Sequence, residues 1–117
     1  MTNQEAFDKV ARHLLAQGAT SMNDTDTCLY RGPNGLMCAV GCLIPDDEYS
    51  EDMEGQSVSV LLNWRRAPAA IRHLGTDLLA DLQRLHDDEP PEWWGAELAK
   101  VADRHGLSGD VLREVAR

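Results

Sequence analysis

Cys38 and Cys42 stand four residues apart in the run "MCAVGCLIP", a spacing that puts both thiols on one face of a helical segment. A third thiol, Cys28, lies upstream, and four histidines are available: His13, His73, His86 and His105. Three chemistries use such residues. The first is a structural zinc site in which Cys28, Cys38 and Cys42 converge and a histidine completes a tetrahedron. The spacing fits poorly, because the cysteine pair has no matching second pair and no two histidines stand at ligand spacing. The second is nucleophilic catalysis by Cys38 or Cys42, acting as a hydrolase or transferase. A helix start would favour the Cys38 thiolate, and His86 or His73 would serve as base, Asp87 being adjacent to His86. Against this, Asp46, Asp47 and Glu48 follow closely, and Ala39, Val40, Leu43 and Ile44 are apolar; both facts disfavour a thiolate. The third is burial, since a free cysteine packs as a small hydrophobe. Burial accounts best for the pair, so no catalytic residue, metal ligand or cofactor is assigned. Gly41 between the thiols fits a close packing contact, because a mid-helix glycine otherwise costs roughly 1 kcal/mol.

After Pro45 the character of the chain changes. Asp46, Asp47, Glu48, Glu51, Asp52 and Glu54 fall within nine residues, around Tyr49 and Met53. No calcium-loop pattern is present. Carboxylates around an aromatic and a methionine suit a contact surface that steers a basic partner and then anchors it. A solvated acidic loop is the plain alternative. Trp93 joins the candidate partner-binding set. Helical geometry turns it about 100° from Trp94, so one ring faces the core while Trp93 either seals the Pro90-Pro91 turn or stays exposed.

The elements that must position these residues read as follows. Thr2 and Glu5 have capping-box spacing for a first helix carrying Ala6, Phe7, Val10, Ala11, Leu14 and Leu15, and Gly18 ends it. Short apolar runs flank Gly32-Pro33-Asn34-Gly35, the composition of a β-hairpin turn. A three-residue loop sets Cys28 opposite Cys38, and a four-residue loop sets it opposite Ala39. The run 38–44 reads as one or two buried helical turns, and periodicity alone leaves a strand open there. Ser57 caps the next short helix, Pro68 fits the first turn of another, and Thr76 caps one carrying Leu78, Leu79, Leu82 and Leu85. Pro90-Pro91 separates it from a helix with Trp94, Leu98, Val101 and His105 on one stripe, and Ser108 caps the last. The expectation is one α+β, mainly α, domain over residues 1–117, with about five helices and one short β-hairpin. Histidines near helix ends, His73, His86 and His105, are expected to satisfy last-turn carbonyls.

Twenty acids against eleven bases give a net charge of −9. Such a chain repels nucleic acid, because phosphate binding needs Lys and Arg to displace counterions. It favours a protein partner with a basic surface, or simply solubility. No run of 18 apolar residues exists and the N-terminus lacks signal-peptide features, so neither a membrane span nor secretion is expected. Three cysteines cannot all pair within one chain, which suits a reducing cytoplasm.

From Cys38 to Tyr49, "CAVGCLIPDDEY", the chain resembles small phage- and prophage-encoded bacterial proteins with a hairpin followed by a C-A-V-G-C-L-I-P-D-x-x-Y core. Glu54-Gly55 and the segment from Leu85-His86-Asp87 through Trp94 to Leu98 extend the likeness. That family has no assigned activity, so the resemblance carries over no catalytic residue. It implies a bacterial cytoplasm and a mobile genetic element. The function expected is that of a small acidic, non-enzymatic protein that binds another protein, such as an anti-defence or host-takeover inhibitor with DNA-mimic-like charge.

Overall fold

The computed structural model describes residues 1–25, 27–64 and 67–115. Among them are six α-helices: α1 Asn3–Gln17, α2 Val58–Leu62, α3 Ala69–Arg72, α4 Thr76–Asp88, α5 Trp94–Arg104 and α6 Asp110–Val115. The long stretch between α1 and α2 is built from short 3-10 turns at Pro33–Gly35, Gly41–Leu43, Asp46–Glu48 and Glu51–Met53.

α1 starts where its sequence says it should. Thr2 Oγ accepts the Glu5 N–H at 3.1 Å, and Glu5 Oε1 accepts the Thr2 N–H at 2.9 Å. These bonds satisfy two amides that an uncapped helix leaves orphaned. Gly18 closes α1 in the left-handed region, at φ 62°. The face of Ala6, Phe7, Val10, Ala11 and Leu14 is fully buried, and α1 packs on α5, α6 and the turn Gly41–Leu43. α4 buries Leu78, Leu79, Leu82, Leu85 and His86 and packs on α2 and α5. Its cap is Gly75, not Thr76, which is the first helical residue. No side chain caps that end, but the Gly75 N–H is taken by Asn3 Oδ1 at 3.0 Å. Trp94 is fully buried, and its indole N–H donates to the Glu89 carbonyl at 3.0 Å, fixing the chain between α4 and α5. Trp93, one residue earlier, is 57% exposed.

The β-hairpin is not formed. Among the described residues there are only two isolated antiparallel bridges, Met22 with Cys28 and Arg31 with Met37. The physical reason is where the backbone donors go. The Leu29 N–H bonds to Ser21, the Tyr30 and Arg31 amides both go to the Glu54 carboxylate, and the Met37 N–H goes to Gln17 Oε1. A ladder needs those groups, and they are already committed. The Gly-Pro-Asn-Gly turn is real, with Asn34 at φ 59°, but it reverses a loop rather than two strands. Cys28 therefore bridges to Met22 and faces neither Cys38 nor Ala39. The fold is mainly helical, and the α+β expectation is corrected on this point.

Candidate functional site

Cys38 and Cys42 lie in the core, fully buried and 8% exposed respectively. The Cys38 sulfur accepts the Gly41 N–H at 3.3 Å, and the Cys42 thiol donates to the Ala39 carbonyl at 3.1 Å. Burial pushes the Cys38 thiol far above its ordinary range and Cys42 up to about 12. Neither sulfur has an imidazole among its hydrogen-bond partners in the described residues. Gly41 is a packing residue: a Cβ there would collide with the Tyr30 carbonyl oxygen.

The three thiols do not gather. Instead Cys28 meets His86 and Asp87: its Sγ, one ring nitrogen and one carboxylate oxygen all lie within 4.8 Å of one another. Cys28 and Asp87 line a cleft of about 510 Å³ whose walls also include Tyr30, Gln56, Val58 and Gln83. His86 sits behind them, fully buried. Its Nε2 accepts the Ser21 backbone N–H at 3.0 Å, which leaves the ring proton on Nδ1, donated to Asp87 Oδ1 at 2.8 Å. Trp94 stacks on the ring, with centroids 5.6 Å apart. Gln83 donates to Asp87 Oδ1 at 2.9 Å, and its own oxygen accepts the Val40 N–H at 3.1 Å. The Cys28 thiol is pushed up to about 12, first by burial, then by its hydrogen bond to Asp87 and the charges of Asp87 and Asp88.

In this arrangement Asp87 accepts from both imidazole and thiol, so the thiol stays protonated. A nucleophilic Cys28 would need a free ring nitrogen as base, and Nε2 is committed to Ser21. Sequence reasoning joined His86 and Asp87 but set them beside the wrong cysteine. The lone Cys28 carried no spacing signal, because the Met22 bridge and the far end of α4 meet only in three dimensions.

The acidic segment divides into two sets. Its inward set pins it. Met53 is 3% exposed and packs in the core, and Glu48 accepts the Ala70 N–H at 3.1 Å. Glu54 accepts three donors, the Tyr30 and Arg31 amides and the Tyr49 hydroxyl. Asp46 is itself exposed but pairs with Arg31, whose guanidinium lies over the half-buried Tyr49 ring. The Tyr49 hydroxyl is pushed up to about 12, by burial and then by Glu54. The outward set is Asp47, Glu51 and Asp52, all exposed and without a side-chain ion pair among the described residues.

The remaining histidines reach other segments rather than last-turn carbonyls. His13 Nε2 donates to the Met37 carbonyl and His73 Nε2 to the Met1 carbonyl. His105 bonds Asp81 at 2.7 Å, and Arg104 joins the same carboxylate at 3.0 Å, clasping the end of α5 to α4. Burial raises the Asp81 carboxyl, but the bonds from His105 and Arg104 outweigh it and hold the group below the usual carboxylate range.

The chain matches no protein-family model, no curated protein and no solved structure. No helix among the described residues is long and apolar enough to cross a membrane.

Proposed function

We propose that the chain is a binding protein whose acidic segment after Pro45 captures a protein partner with a basic surface. One observation carries this reading: the segment is fastened by its inward residues while Asp47, Glu51 and Asp52 are held outward. A fastened display of like charges loses little conformational freedom on binding and raises the encounter rate with a cationic surface. The net charge of −9 adds a long-range field of the same sign. Trp93, exposed beside the acidic Glu92, supplies a second anchor of the kind interfaces favour. The likeness to phage and prophage proteins supports a host-directed inhibitor in the bacterial cytoplasm, its carboxylates standing in for nucleic-acid phosphates.

The test neutralises only the outward acids, D47N/E51Q/D52N, because Glu48 and Glu54 fasten the segment. Wild type and variant are used to capture protein from bacterial lysate at low and high salt. The expected result is a basic protein retained by wild type, released by salt and lost with the variant. Retention that is identical for both proteins removes the segment from the function. Competition by duplex DNA for the same captured protein separates phosphate mimicry from other modes of binding.

A further inference from the structure

We propose that Cys28, His86 and Asp87 form a site for one zinc-class divalent transition-metal ion, its open coordination position facing the cleft. Thiolate, imidazole and carboxylate together are the donor types such ions take. Three protein ligands with a free fourth position is the arrangement of open rather than closed sites. Among the described residues this is the one place where three donors converge, within 4.8 Å of one another.

Each donor is held from outside. Gln83 fixes the Asp87 carboxylate and is itself fixed by the Val40 N–H. Trp94 sets the plane of the His86 ring. The Met22 bridge sets the backbone of Cys28. Such outer partners are what metal ligands ordinarily require.

The metal-free arrangement also leaves one group here unsatisfied. The Ser21 hydroxyl is fully buried and, like Arg31 Nε elsewhere in the chain, has no hydrogen-bond partner among the described residues. It belongs to the residue whose N–H meets His86 Nε2. An ion taking Nδ1 moves the ring proton to Nε2, and that new N–H then requires an acceptor. The Ser21 N–H must then give up that position, and the assignment requires the unpartnered Oγ of the same residue to take it. The thiol proton passes to solvent, and the resulting thiolate and Asp87 carboxylate match the charge of a divalent ion.

The test uses the full chain, purified without a metal-affinity tag, stripped with chelator and titrated with Co²⁺. The expected result is one equivalent bound, with a thiolate-to-cobalt charge-transfer band and the visible bands of a four-coordinate ion, both bleached by Zn²⁺. Cys28→Ser abolishes the charge-transfer band, whereas Cys42→Ser retains it. Asp87→Asn, at a more exposed position, weakens binding even if the Cys28 variant folds poorly. Gln83→Ala, which touches no ion, lowers affinity about 10–100-fold. Absence of a stoichiometric band in wild type, or a band that survives Cys28→Ser, overturns the assignment. None of these readouts depends on the acidic segment or on capture of a partner.

Discussion

The chain holds its thiols in two settings, and the contrast between them is instructive. Cys38 and Cys42 are surrounded by core side chains, and burial is the largest of the effects that keep them protonated. Cys28 has a similarly raised thiol, but its neighbours are a carboxylate, an imidazole and an open cleft. The first pair is inert because it is enclosed in the core. The second is restrained by groups that a cation would reorganise. Similar acidities therefore mark a filler in one place and a candidate ligand in the other.

The largest expected effect falls on Trp94, which backs the His86 ring. Trp94→Ala removes a fully buried ring that also stacks on His86. A loss of about 3–5 kcal/mol in denaturant unfolding is expected. A loss near zero would mean that the cleft is not braced from the core. Next, Gly41→Ala drives a methyl group into the Tyr30 carbonyl and should cost about 1–3 kcal/mol by the same measurement. A neutral outcome would show that the turn holding Cys38 and Cys42 yields more readily than a packed interior should.

Thiol reactivity sharpens the comparison directly. With iodoacetamide at neutral pH, Cys28 should alkylate before Cys38 and Cys42, though more slowly than an unhindered cysteine. Asp87→Asn removes a group that raises the Cys28 thiol, so Cys28 should speed up; the charge of Asp87 also raises Cys38, but burial dominates there and keeps both core thiols slow. Peptide mapping of the alkylated chain reads this, and equal acceleration at all three thiols would refute the distinction.

The smallest effect lies away from both settings, at Asp81. Its folded-state pKa is depressed, so its contribution to stability is present above the unfolded value of about 3.9 and is lost as pH falls through the lower folded value. Asp81→Asn should flatten that acid limb of the stability curve and leave Cys28 alkylation unchanged. An unaltered limb would assign the acid sensitivity to other carboxylates.

Helices were legible wherever periodicity and capping agreed. Thr2 with Glu5, Ser57, and the stripe through Leu78 and Leu82 sit close to where their spacing puts them, because those signals act within a few residues. The burial of the thiol pair and the packing role of Gly41 were legible for the same reason. The hairpin misled because turn composition specifies a reversal, while a ladder requires free donors on both flanks. Glu54, Gln17 and Ser21 had claimed them from distant positions. The acidic run looked uniform in sequence, yet long-range amides turned Glu48 and Glu54 inward. Cys28 with His86 and Asp87 was illegible because the assembly depends on how α4 meets the loop after α1.

Glu54 sets a narrow limit on how this chain can vary. Oε1 receives the Tyr30 amide at 2.8 Å, while Oε2 receives the Arg31 amide at 3.1 Å and the Tyr49 hydroxyl at 2.7 Å. Aspartate is one methylene too short to keep that reach, and glutamine would point an N–H₂ at a donor. Random mutagenesis under selection for folded protein should therefore return glutamate at this position while its neighbours Glu51 and Asp52 drift freely.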